Sequence, residues 1–232
     1  MRQKKRNNMS HRLTWFTTKL PKEIINSAIR DLTTYNQNVK DSTIDFDQNK
    51  VETVENLHYN ADSDKLERWR QSKNCWIPSQ HWVGGFLWHY ITMANNQNFH
   101  YDLSCIDNHE LQYTLYEKGS YYNWHTDGGV EHTVITNTGG EAWGDNPQRL
   151  VDDYIMKKVN LVRKLSFVVQ LTPGDEYEGG ELQVESKGGT FSASKEQGAI
   201  IFFDSRTRHR VTKITHGQRR SLVGWVVGPE WK

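Results

Sequence analysis

Between residues 99 and 227 the sequence breaks into eight short runs rich in β-branched and aromatic residues, each bounded by Gly, Asp, Asn or Pro. The runs are 99–104, 110–116, 121–125, 165–171, 181–185, 198–203, 208–214 and 219–227. None exceeds the length of a strand, and turn residues recur between them. Such a chain has to fold its strands back on one another, which predicts a β-sandwich or jelly roll. The interruption is 128–160, a long polar stretch with Gly139-Gly140 and Asn146-Pro147. A segment that long inside a compact domain predicts a functional loop or lid.

The N-terminal part follows another period. After Pro21, a good first-turn residue, Ile24, Ile25, Ala28, Ile29 and Leu32 recur at helical spacing. A second helix is expected over 80–95, where Trp82, Val83, Phe86, Leu87, Tyr90, Ile91 and Ala94 form a broad apolar face interrupted by Gly84-Gly85. A short strand around 51–54 and a short helix over 64–70 are weaker signals. The fold class expected is α+β, an all-β core with N-terminal helices. The 232 residues suit one domain. We read 1–12 as a basic flexible tail and 13–232 as a single domain, with helical support over about 13–97 and the β core over about 98–232.

Composition excludes several classes. Mean hydropathy is low at −0.81, yet nine Trp, ten Tyr and eight Phe are more than a disordered chain carries. No apolar run reaches the roughly 18 residues of a membrane span. Cys75 and Cys105 make neither a disulfide framework nor a zinc signature. With no apolar signal-peptide core at the N-terminus, a soluble, cytoplasmic protein without a membrane partner is expected. The formal charge of +1 divides unevenly. Arg2, Lys4, Lys5, Arg6 and Arg12 crowd the first twelve residues without an acid, and the remainder is slightly acidic. A nucleic-acid partner is therefore not expected of the folded body. The sequence leaves the oligomeric state open.

Two His-x-Asp triplets stand out, His100-Tyr101-Asp102 and His125-Thr126-Asp127. Residues i and i+2 of a strand share a face, so either triplet could present two convergent ligands. The second lies where a strand runs into Gly128-Gly129, at the lip of a sheet. A third ligand has to come from far along the chain, and His209 is the natural candidate. Two His and one carboxylate with open positions opposite describe a non-haem Fe(II) site. Ten residues after His209 comes Arg219, on the next run, suited to grip a carboxylate bidentately. Alternation puts Ser221 on the face of Arg219 and sends Arg220 the other way. His100 and Asp102 have no such surroundings, and a structural or exposed role is expected of them.

Five segments in order carry a family resemblance: 111–119 (LQYTLYEKG), 122–127 (YNWHTD), 163–166 (RKLS), 177–182 (YEGGEL), and 209–212 (HRVT) followed by Gly217-Gln218-Arg219. From about 70 to 231 the chain resembles the prolyl-4-hydroxylase-type branch of the Fe(II)/2-oxoglutarate-dependent dioxygenases. The resemblance implies a double-stranded β-helix (jelly roll) braced by helices, with iron held by His125, Asp127 and His209. It assigns Arg219 to the outer carboxylate of 2-oxoglutarate, a position that is lysine in collagen-type enzymes and arginine in bacterial and viral ones. A tyrosine ahead of the His-x-Asp strand often helps bind the co-substrate; Tyr116 matches it best and Tyr122 second.

The same resemblance implies an oxidoreductase that takes Fe(II), 2-oxoglutarate and O2, with ascorbate as a reductant. Such an enzyme releases succinate and CO2 while hydroxylating a C–H bond of peptidyl or free proline. The substrate expected is a proline-containing peptide or small molecule. Two other readings are a nucleic-acid demethylating dioxygenase and a non-catalytic jelly-roll binding module. Against the first, the demethylase branch carries a second arginine six residues after the co-substrate arginine, where this chain has Trp225. Against the second, a binding module has no need of a dicarboxylate clamp.

Overall fold

The computed structural model describes residues 15–42, 70–78, 80–107, 110–128, 131–137 and 156–231. The basic tail 1–12, the strand expected around 51–54, residues 64–69 of the short helix, and the Gly139-Gly140 and Asn146-Pro147 pairs lie outside the described residues.

The chain opens with β1 (Trp15–Lys19), α1 (Lys22–Leu32) and a 3-10 turn (Thr33–Asn38). β2 (Lys40–Asp41), β3 (Arg70–Gln71) and β4 (Lys73–Pro78) precede α2 (Trp82–Ala94), which runs on into a π-turn (Asn95–Phe99). Then come β5 (Cys105–Ile106), β6 (Glu110–Tyr116), β7 (Tyr121–His125), β8 (Glu131–Asn137) and β9 (Met156–Gln170). The last strands are β10 (Tyr177–Glu178), β11 (Leu182–Ser186), β12 (Gly189–Ser192), β13 (Ala199–Asp204), β14 (His209–Val211), β15 (His216–Gly217) and β16 (Arg219–Pro229).

Two large antiparallel sheets face each other, and β10 and β15 pair as a separate two-stranded ribbon. The larger runs β1-β13-β9-β16-β6-β4-β2, with β5 on β16 and β8 on β9; the smaller runs β12-β11-β14-β7-β3. β1 and β4 show that the N-terminal part supplies strands as well as helices: β1 adds to β13 and β4 adds to β6.

Alternation in the larger sheet sorts two environments. Leu165, Phe167 and Val169 of β9, Ile200 and Phe202 of β13, and Leu222 and Val226 of β16 belong to the core that includes Ile25 and Leu32 of α1 and Leu87 and Ile91 of α2. Each fully buried side chain of this size contributes about 1.5–3 kcal/mol. The opposite face of the same strands meets the smaller sheet. There Val168, Ile201 and Phe203 join Leu182, Val184 and Val211 in a second cluster with Tyr116 and Tyr177. This inner face also buries Ser166, Gln170, Thr114, Arg219 and Ser221. A row of buried polar groups between two sheets marks where chemistry is housed.

Three local expectations change. The run at 99–104 is not a strand: Phe99 closes the π-turn, His100 adopts a left-handed conformation (φ 56°), and pairing begins at Cys105. The polar stretch 128–160 is not wholly loop, since β8 pairs with the N-terminal half of a β9 that starts at Met156. A strand edge satisfied by another strand tolerates polar residues that sequence periodicity reads as loop. The 208–214 run is paired as a strand only over His209–Val211. Among the described residues no helix is long and apolar enough to cross a membrane.

Candidate active site

β7 ends at His125 and β14 begins at His209, and these two residues are register partners in the smaller sheet. Their ring centroids are 4.1 Å apart. Asp127 lies beyond the end of β7, so strand alternation does not aim it. Backbone bonds do: the N–H groups of Asp127 and Gly128 both donate to the Ser205 carbonyl, at 2.8 and 2.7 Å. They tie the chain after β7 to the turn after β13. His125, Asp127 and His209 each offer one ligand atom, all within 4.8 Å of one another. Nε2 of His125 is 3.7 Å from Asp127 Oδ1, and Nε2 of His209 is 3.4 Å from Oδ2.

Each imidazole is held from its far side. Nδ1 of His125 lies 2.7 Å from the Asn123 carbonyl, and Nδ1 of His209 lies 3.0 Å from the Thr207 carbonyl. A carbonyl only accepts, so Nδ1 is the donor in both rings and Nε2 is the nitrogen turned toward Asp127. Burial, helped by the neighbouring His209, pushes the His125 ring down to about 3. It is therefore neutral at physiological pH, the state a metal needs. Burial alone would raise the Asp127 carboxyl, but the facing His209 and His125 rings and the Arg163 guanidinium outweigh it and hold it below the usual range. Two imidazoles and an ionised carboxylate form the donor set of a 2-His-1-carboxylate centre. The residues present fit a divalent first-row metal ion.

Supporting groups surround these three. The Tyr122 ring stacks on His125 at 3.5 Å between centroids, and the Arg70 guanidinium lies 4.7 Å over Tyr122. Phe203 meets the other side, 4.6 Å from the His209 ring. Ser166 of β9 donates to Asp127 Oδ2 at 2.8 Å, and its oxygen lies 2.9 Å from the Ser205 hydroxyl. Both serines are completely buried.

Arg219, the first residue of β16, is 2% exposed. Its Nε donates to Gln170 Oε1 at 3.1 Å and its Nη1 to the Ser221 hydroxyl at 3.3 Å. Its guanidinium lies 5.4 Å over the ring of Tyr116, its partner across the β6–β16 ladder. All of these partners are neutral, and among the described residues no carboxylate reaches ion-pair distance. A buried cation without a counter-ion is costly, so this site is built for an anion. Arg219 and Gln170 line a cavity of about 280 Å³ walled by Val168, Leu182 and Ile201. None of the three ligand candidates lines that cavity. Phe203 joins the two regions, touching His209 while belonging to the cluster of Val168, Leu182 and Ile201.

Tyr116 and Ser221 thus gather at Arg219, whereas Tyr122 gathers with the His–Asp–His group. Arg220 leaves the pocket, as alternation requires, and donates to Gln218. His100 and Asp102 are exposed and off any strand, outside both groups. Gly179-Gly180, which reads as a tight turn, has a second role. A Cβ on Gly180 would meet Ile214 Cδ1 at 2.3 Å and Arg219 Cδ at 3.2 Å, so its hydrogen makes room for the arginine stem. Sequence reading alone misses Ser205, Gln170 and Tyr177. A signal for Gln170 does exist: it and Ser166 are the polar residues on one face of an otherwise apolar strand segment.

Residues 111–227 match the model of the 2OG-Fe(II) oxygenase superfamily. A PKHD-type hydroxylase of Parvibaculum lavamentivorans is 41% identical over 75 residues, which cover 32% of this chain and 33% of the relative. One of Hyphomonas neptunium is 36% identical over 89 residues, 38% of each. The matched segments thus span about a third to two fifths of the length of these curated relatives. In three dimensions the chain is similar to a Pseudomonas putida prolyl-4-hydroxylase, with TM-score 0.57, 16% identity and 94% of each chain covered. It is also similar to a Trichoplax adhaerens prolyl hydroxylase solved with a hypoxia inducible factor peptide fragment, with TM-score 0.60, 15% identity, and 93% of this chain and 84% of that one covered. At such identities the structures bear on the fold. The family match runs from β6 into β16 and takes in His125, Asp127, His209 and Arg219, and on it the chain belongs to the 2OG-Fe(II) oxygenase superfamily.

Proposed function

We propose that this protein is an Fe(II)- and 2-oxoglutarate-dependent dioxygenase that hydroxylates a C–H bond of peptidyl or free proline. The observation that carries the reading is the pairing of a convergent His125–Asp127–His209 set with a buried Arg219 that has no counter-ion among the described residues. His125, Asp127 and His209 would hold the metal through Nε2, a carboxylate oxygen and Nε2. Arg219 would take the distal carboxylate of 2-oxoglutarate, with Tyr116 and Ser221 beside it. Tyr122, stacked on His125, would keep that ring in its plane. A metal held there would supply oxidative decarboxylation of 2-oxoglutarate, one atom of O2 ending in succinate and the other in the hydroxylated C–H bond. The chain's own part is to orient the imidazoles through their Nδ1 contacts and to keep the carboxylate ionised. Ascorbate as a reductant belongs to the same reading.

The proline assignment rests on the kinship with PKHD-type hydroxylases and on the fold shared with prolyl hydroxylases. The deciding experiment incubates the purified protein with Fe(II), 2-oxoglutarate and ascorbate, in parallel with pools of proline-containing peptides, with free proline and with nucleic acid. Gain of one oxygen on a proline, matched by succinate, is the expected result. Oxygen gained only on nucleic acid, or succinate formed with no peptide or free-proline product, would overturn the substrate assignment.

A further inference from the structure

Gln170 stands at the end of β9 with 4% of its surface exposed, and it makes three hydrogen bonds. Its Nε2 donates to the Thr172 carbonyl at 2.8 Å and to the Tyr177 hydroxyl oxygen at 3.0 Å. Its Oε1 accepts from Arg219 Nε at 3.1 Å. The Thr172 carbonyl can only accept, so the orientation of the amide is not a matter of choice: both N–H groups are spent, and Oε1 has to face the arginine.

The consequence falls on Arg219. A guanidinium has five donors in a rigid fork. One of them, Nε–H, is anchored to Gln170 and a second leans on Ser221. The Tyr177 hydroxyl also interacts with the guanidinium, and the rest of the fork is left for a ligand. Because Gln170 is neutral, it fixes direction without quenching charge; a carboxylate here would hold the arginine equally well and cancel the field a dicarboxylate needs. Tyr177 holds Gln170 in turn, and its ring packs beside Gly180, the residue that makes room for the Arg219 stem.

We infer that Gln170, oriented by Tyr177, is a positioning residue that aims Arg219 at the distal carboxylate of the 2-oxo acid and sets the preference for diacid over monoacid co-substrates. This rests on the reading of Arg219 as the co-substrate arginine.

The test measures binding to the Mn(II)-loaded protein by calorimetry. The probes are 2-oxoglutarate and 2-oxopentanoate, which has the same chain length and lacks the distal carboxylate. The wild type is expected to prefer the diacid. Gln170→Met, similar in shape and without either polar atom, should cut that preference about tenfold, the equivalent of one well-placed charged hydrogen bond. Mn(II) affinity should stay within about twofold of wild type, and the monoacid should bind as before. Tyr177→Phe should cut the preference about threefold, and it keeps the inference testable if Gln170→Met folds poorly. A general loosening would weaken both acids together and overturns the proposal, as does an unchanged preference in the variants. A wild type that shows no diacid preference instead overturns the reading of Arg219.

Discussion

The Ser166 hydroxyl donates to Asp127 Oδ2 at 2.8 Å, the same oxygen that lies 3.4 Å from Nε2 of His209. A side chain from the larger sheet thus orients a carboxylate that stands between two histidines of the smaller one. Ser166→Ala should weaken Mn(II) or Co(II) binding about 10- to 100-fold, as loss of a hydrogen bond behind a metal ligand does. Titration of the apo-protein checks this, and a change below about twofold would show that the backbone bonds to Ser205 suffice.

His125→Ala, Asp127→Ala and His209→Ala should each abolish iron-dependent succinate formation, since each removes one of three donors. Wild-type turnover in any one variant would refute that assignment.

Arg219→Ala should raise the 2-oxoglutarate requirement far more than the iron requirement. Arg220→Ala, on the opposite face of β16, should change neither appreciably. Steady-state assays with each component varied in turn read this directly, and the reverse order would mean that the guanidinium in the pocket is not the one that binds.

Gly180→Ala should destabilise the protein by about 1–3 kcal/mol, because the new methyl group meets Ile214 at φ +65°. For a chain of this length that is a fall of about 2–12 °C in Tm. Gly85→Ala is the contrasting case. Its Cβ meets nothing within 4 Å on α2, so it should stabilise by about 0.5–1 kcal/mol. Thermal unfolding of the two variants separates a glycine held by contacts from one that is merely tolerated.

Asp204 accepts from the Tyr101 hydroxyl at 2.6 Å and from Arg206. Burial would raise its carboxyl, but the Arg206 and Tyr101 hydrogen bonds win and hold it below the usual value. A carboxyl depressed in the folded state adds stability above its unfolded pKa of about 3.9 and loses it as pH falls through the folded value. The Tm gap between wild type and Asp204→Asn should therefore be full at pH 7 and shrink below about pH 4. A gap that widens on acidification would reverse the sign and exclude the pairing as its source.

Legibility differs from element to element. α1 is readable because its apolar residues repeat at 3.6, and the inner strands β6 and β13 because a short, nearly continuous apolar run between turn residues marks a strand buried on both faces. β8 and the first half of β9 are not, because what defines them is backbone pairing between two segments some twenty residues apart, which no local window records. The 99–104 run has strand composition, but the π-turn and the left-handed His100 take the chain out of register before pairing starts.

The sequence by itself determined the donor types, the spacing of the His-x-Asp pair and the face that Arg219 shares with Ser221. These are local: a strand's alternation decides which residues look the same way. Only the tertiary structure decided that Asp127, beyond the end of its strand, is aimed by Ser205 and Ser166, and that Gln170 and Tyr177 hold Arg219. Ser166 is far from Asp127 in the chain, as Gln170 is from Arg219, and each pair meets because distant strands are brought together in the closed fold. Side chains that meet across such a closure are chosen by the packing of the whole, so their partnership is absent from any stretch of sequence read alone.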